Sequence, residues 1–198
     1  MKVDQQTMAA HRAAILKQAA RLFRAHGIEN VAVADITGAA GLTHGAFYGH
    51  FSSKTALAAE ACRQSLERAA EHWRERVAEA RRAGKDPFAA IVDAYLRPAA
   101  RDSREHSCAI ASLGPEASRD PDVGPSMGIG VEALLLVLQE LIAERRPRAK
   151  RADHAEAAMA ALSAMNGGLT LARLLAASPK RSAAALKAAA ALAKRVVE

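Results

Sequence analysis

An all-α protein is what this sequence predicts, and three observations carry the prediction. Alanine is abundant, only 4% of the residues are aromatic, and runs of β-branched residues are scarce. That composition favours helix over strand, because alanine loses least on entering a helix and strands draw on β-branched and aromatic residues. Apolar residues recur three and four apart in block after block, the period of a helix with one buried face. The blocks are separated by single glycines or by Ser/Asp-Pro pairs, which act as helix stops and starts. Of the 198 residues 51% are apolar, enough to build a core for one sizeable domain or for a small head on a larger body.

The elements follow in order. Thr7 can cap a first helix whose stripe is Ile15, Ala19, Leu22, Phe23 and His26, with Gly27 as its stop. A short helix is expected over 33–40, ended by Gly41, and another over 43–49 with Thr43 as its N-cap. Two short helices joined through Gly41-Leu42 have the spacing of a helix-turn-helix, and Ala39, Ala40 and Ala46 are small enough for a close crossing. Ser52 or Ser53 opens a long helix to about Ala83, with Leu57, Ala61, Cys62, Leu66, Trp73 and Val77 inward. Asp86-Pro87 opens the next, and Pro98 should kink or end it. The stretch 101–106 is polar, and a short helix is expected over 109–119. Two prolines and three glycines make 120–130 read as loop or frayed helix start. Helices over 131–145, 151–177 and 180–197 complete the chain. No strand and no tandem repeat is expected.

Charge and chemistry narrow the function. The net charge of +7 suits a polyanion such as nucleic acid or an anionic membrane, although many proteins are simply basic. Two cysteines, Cys62 and Cys108, are too few for a disulfide framework and fit a reducing cytoplasm. The first residues are polar and lack the apolar stretch of a signal peptide. The longest uncharged run, 157–172, is Ala/Gly-rich and shorter than the roughly 20 residues of a membrane span, so neither export nor insertion is expected. No Gly-x-Ser-x-Gly elbow occurs, and Gly128-x-Gly130 lacks the strand that a phosphate loop needs. Four histidines (His11, His26, His44, His50) crowd the first 50 residues, without the spacing of a metal site. An enzyme, a metal and a cofactor are therefore not expected.

The opening Ile15-Leu16, Ala19-Ala20, Leu22-Phe23, Gly27 and the run Asp35-Ile36, Ala40-Gly41-Leu42-Thr43, Gly45-Ala46-Phe47-Tyr48, His50-Phe51, Ser53-Lys54, Leu57 resemble the head of the TetR/AcrR family of bacterial regulators. The match runs from Ile15 to Leu57 without a gap; the rest resembles family members only in helix layout. The resemblance implies about nine helices, with a helix-turn-helix DNA-binding head over residues 1–55 and a ligand-binding and dimerisation body over 56–198. Physical reasoning agrees with it. Gly45 lets the backbone approach the major groove, and Phe47 and Phe51, four apart, share a core-facing side. From the family pattern, Thr43 and His44 take base and phosphate contact positions, with Gly45 beside them. Tyr48, His50 and Lys54 clamp the backbone, and Thr37 is a further phosphate candidate. Val31 and Ala32 stand where relatives carry a capping Ser or Thr, His44 replaces a Lys or Arg, and Thr55 replaces a Glu.

For the body the resemblance implies an Ω-shaped homodimer through the last two helices, on a double-stranded, pseudo-palindromic operator, in the bacterial cytoplasm. A cavity for a small, largely apolar effector is expected among the middle helices. Its candidates from inward-facing positions are Leu66, Trp73, Tyr95, Cys108, Leu113, Leu138, Met165 and Asn166. Two alternatives stand beside a ligand-released repressor. Cys108, at a helix start, could sense electrophiles if the helix N-terminus lowers its thiol pKa. The departures at Val31, Ala32 and His44 could also leave a small-molecule-binding protein with weakened DNA readout.

Overall fold

The computed structural model describes residues 5–197, and among these every regular element is helical. Helix α1 (Gln5–His26) buries Ile15, Leu16, Ala19 and Phe23 on one face, as the periodicity requires. Thr7 lies inside its first turn and not ahead of it. Helix α2 (Val33–Ala39) starts at Ala32, which has no capping side chain. Asp35 partly replaces the cap by accepting the Ala32 N–H at 2.9 Å. The exit from α2 is a Schellman turn: Gly41 sits at φ +71°, and Leu42 N–H reaches Thr37 O at 2.9 Å. A side chain at Gly41 would force a strained backbone, so glycine sets where the turn falls.

The third head element differs from expectation. His44–Gly49 is a 3-10 helix, and Thr43 holds the cap position by its backbone alone. Gly45 and Gly49 weaken α-helix in so short a segment, and Phe47, fully buried, anchors it to the core. Helix α3 (Lys54–Arg82) begins at Ser53, whose hydroxyl accepts the Ala56 N–H at 3.0 Å. It runs unbroken through the expected boundary at residue 55, so head and body share a helix. Helix α4 (Pro87–Tyr95) has Asp86 as its cap, accepting from Phe88 and Ala89.

Pro98 opens a short helix α5 (Pro98–Asp102), since proline suits a first helical position. A 3-10 turn over Arg104–His106 follows, then α6 (Ala109–Ala117). The expected loop over 120–130 is mostly helix: α7 spans Val123–Arg145. Pro125 falls in its first turn, where no backbone N–H is needed. Gly130 is a packing residue, because a Cβ there would lie 2.7 Å from Leu66 Cβ and 2.9 Å from Arg63 O. Helices α8 (Arg151–Leu174) and α9 (Pro179–Arg195) end the described chain.

Helix α3 packs most extensively on α7, and α8 on α9, with α7 between α3 and α8. By length and composition α7 is apolar enough to cross a membrane, but its residues Leu134, Leu135, Leu138, Leu141 and Ile142 are buried against neighbouring helices. One continuous core joins Phe23 and Leu57 of the head to Leu66, Phe88, Leu138 and Leu162 of the body.

Candidate nucleic-acid interface and body cavity

The 3-10 segment exposes Thr43, His44, Gly45 and Tyr48, the last at 65% of its full accessibility. Phe47 fixes Tyr48 from below through an edge-on ring contact at 5.2 Å, and His44 meets Tyr48 edge-on at 5.7 Å. An apolar anchor thus presents a hydroxyl and an imidazole side by side. No atom lies within 4 Å of a Cβ built on Gly45, so the backbone there is open to approach. His50 is half-buried and packs edge-on against His11 at 6.2 Å. Burial, and then the charges of His11 and Arg12, hold its pKa below the ordinary histidine value. Arg12 is itself engaged: it pairs with Glu60 at 2.5 Å and lies 4.7 Å over the Phe51 ring.

Two predicted DNA contacts are placed elsewhere. Thr37 is buried, and its hydroxyl donates to Val33 O and Ala34 O within α2. The Lys54 ammonium donates to Ile28 O, Glu29 O and Val31 O, at 3.0, 3.3 and 3.3 Å. It holds the loop between α1 and α2 in this structure.

That loop is clamped from the body as well, by a residue that sequence reasoning missed. The Glu116 carboxylate on α6 accepts the N–H groups of Ile28 at 2.9 Å and Glu29 at 2.8 Å. Arg24 adds bonds to Glu105 O and Ser65 Oγ, and Arg21 pairs with Glu105. These partners stand 41 to 88 positions apart, so no local pattern announces them.

A cavity of about 320 Å³ opens beside α6, with Trp73, Tyr95, Ser107, Cys108 and Leu134 among its walls. Of the eight predicted effector residues, Trp73, Tyr95 and Cys108 meet there. Leu66, Leu113, Leu138 and Met165 are packed in the core, away from this wall, because an inward face need not be a cavity face. Asn166 also lies off the cavity, its buried Oδ1 without a hydrogen-bond partner. Cys108 sits at the N-cap position of α6; burial pushes its pKa up and outweighs the Tyr95 hydroxyl and the N–H groups of Ile110 and Ala111, which pull it down. The thiol is therefore protonated near neutral pH, against the expected lowering. Arg173 on α8, also missed, ties the region together through Ala100 O, Ala111 O, Ser112 Oγ and Ser107 Oγ. On α8 and α9, Met159, Leu171, Leu174 and Leu192 are exposed apolar side chains.

A helix-turn-helix head with an exposed, tyrosine- and histidine-bearing third element, seated on an all-helical body, defines a DNA-binding transcription regulator. Residues 15–61 match the family described as bacterial regulatory proteins, tetR family. That match covers the head; over its full length the chain has the fold of TetR-family transcription regulators. A TetR-family regulator from Streptomyces coelicolor is 26% identical, with 96% of this chain and 97% of that one covered and a TM-score of 0.63. A TetR regulator from Chloroflexus aurantiacus is 25% identical, with 94% and 96% covered and a TM-score of 0.69. Reduced NemR of E. coli shares the fold at 20% identity, with 93% and 95% covered and a TM-score of 0.69. No curated protein matches the chain in sequence.

Proposed function

We propose that this protein is a repressor that leaves a pseudo-palindromic operator when a small, largely apolar effector enters the cavity beside α6. The observation that carries the reading is the exposed Thr43-His44-Gly45 and Tyr48 surface, within the segment that matches the family. In this reading His44 and Thr43 read base edges, while Tyr48 and His50 donate to phosphates. Lys54 reaches a phosphate only by releasing part of its hold on the α1–α2 loop, and Thr37 only if α2 rearranges. The protein acts as a homodimer through α8 and α9, whose exposed Met159, Leu171, Leu174 and Leu192 favour a partner surface. Two heads then meet half-sites roughly 34–36 Å apart on one face of the duplex. The working compartment is the cytoplasm.

The test is binding of the purified protein to DNA upstream of its own gene, against a scrambled duplex, at two salt concentrations. Preference for the native duplex, with affinity falling steeply as salt rises, is expected. Failure to select any sequence from a random pool would sink the reading. It would favour a small-molecule-binding protein whose head no longer reads DNA.

A further inference from the structure

The cavity beside α6 has an apolar interior and a cationic mouth. Arg76 and His72 approach from α3, Arg97 from the turn after α4, and His106 from the 3-10 turn before α6; no Asp or Glu lines the cavity. Among the described residues neither arginine has a side-chain hydrogen bond or an ion pair. Glu79 and Asp93 border the next groove, which the same two arginines share, but Asp93 is paired with Lys194 at 2.6 Å and Glu79 pairs with neither arginine. Other arginines of the body do find acids, as Arg81 does with Glu144 and Arg145 with Asp86.

The wall holds a second unmet group. Tyr95 is 8% exposed and lines the cavity, yet its hydroxyl has no hydrogen-bond partner. The Cys108 thiol beside it is at most a weak partner. A buried donor left this way is costly unless something supplies an acceptor. Isolated arginines on a helix are commonly just solvated. Here, though, two guanidinium and two imidazole groups converge from three stretches of chain onto one apolar pocket.

We propose that the effector is a small carboxylic acid with an aromatic or aliphatic tail. Its carboxylate meets Arg76 and Arg97 at the mouth, and its tail lies against Trp73 and Leu134. Guanidinium suits a carboxylate because its planar N–H donors match two oxygens at once. The volume, at the lower end of the roughly 300–1,000 Å³ usual for ligand sites, limits the tail to a short one. This assignment rests on the reading of the cavity as the effector site.

Trp73 is the chain's single tryptophan and lines the cavity, so its fluorescence reports occupancy. The full-length protein is titrated with hydrocinnamate and octanoate, and with their uncharged amides. The acids are expected to bind about tenfold more tightly than the amides or better, with an advantage that shrinks as salt rises. In the Arg76→Gln/Arg97→Gln variant the advantage disappears while amide binding stays; each arginine lacks a protein partner, so the variant should fold, and its melting curve checks that. Amides binding as tightly as acids would overturn the charge assignment and leave the cavity reading standing. Neither acids nor amides altering Trp73 emission or DNA binding would overturn both.

Discussion

At the scale of single residues, the head depends on how each polar group is already engaged. Tyr48 and His44 are exposed because Phe47 beneath them is fully buried. Thr37 and Lys54 match the family pattern equally well, but their donors are used inside the protein. Sequence identity names a position, and the hydrogen-bond partners decide whether it is free. The Arg12–Glu60 pair, which joins α1 to α3, shows the same coupling in its pH response. The hydrogen bond from Arg12 holds the Glu60 carboxyl below the ordinary glutamate value. A carboxyl depressed in the folded state stabilises the fold above its unfolded pKa, and that contribution is lost as pH falls through the folded value. From about pH 5 downward the head should therefore lose stability faster in the wild type than in Glu60→Gln. Parallel melting temperatures for the two proteins across pH 7 to 3 would refute this.

At the scale of elements, close helix crossings are set by missing side chains. Gly168 on α8 faces α9 so tightly that an added Cβ would come within 2.1 Å of Ala189 Cβ, whereas one on neighbouring Gly167 would meet nothing within 4 Å. The pair makes an internal control. Gly168→Ala must push α9 away and should cost about 1–3 kcal/mol. Gly167→Ala meets nothing in its own protomer, so it should cost less than Gly168→Ala; because Gly167 shares the face of Met159 and Leu171 proposed for the dimer, any cost it does carry reads how closely the partner approaches. Denaturant unfolding measures both, and equal effects would mean that the α8–α9 contact is loose. Helix α7 teaches a related lesson. Its glycines look like loop punctuation in sequence, but Gly130 is selected by the proximity of Leu66 and Arg63 on α3.

Across the whole molecule, the position of the head on the body rests on α3, which spans both, and on the Glu116 clamp. One carboxylate accepts two backbone N–H groups of the α1–α2 loop, the same loop whose carbonyls hold Lys54. Helix α6 carries Glu116 near its C-terminal end and Cys108, a wall of the cavity, at its N-cap. A shift of α6 on ligand entry would thus reach the head through one short helix, which Pro115 interrupts just before Glu116. Glu116→Gln keeps the shape but sets an amide N–H₂ against one of the two N–H donors. It should weaken the seat by about 1 kcal/mol, with faster hydrogen exchange over 27–31 and less DNA released per effector bound. Unchanged exchange in that segment would show that α3 alone positions the head.

Most helix positions, the glycine turn at Gly41, a serine cap at Ser52 or Ser53, the helix start at Asp86-Pro87 and the core stripe of α1 were legible in the chain. The physics behind them acts within one or two turns: a cap, a stop and a 3.6-residue period are properties of neighbours in sequence. The head was legible for the further reason that its residues form one contiguous stretch matching a known pattern. The cavity was only partly legible. Trp73, Tyr95 and Cys108 could be named from inward faces, but Arg76, Arg97 and His106 looked like ordinary solvated residues. The 3-10 form of the third head element, the full length of α7 and the Glu116 clamp were decided by tertiary structure. Each depends on groups far apart in the chain, whose energy exists only once folding has brought them together.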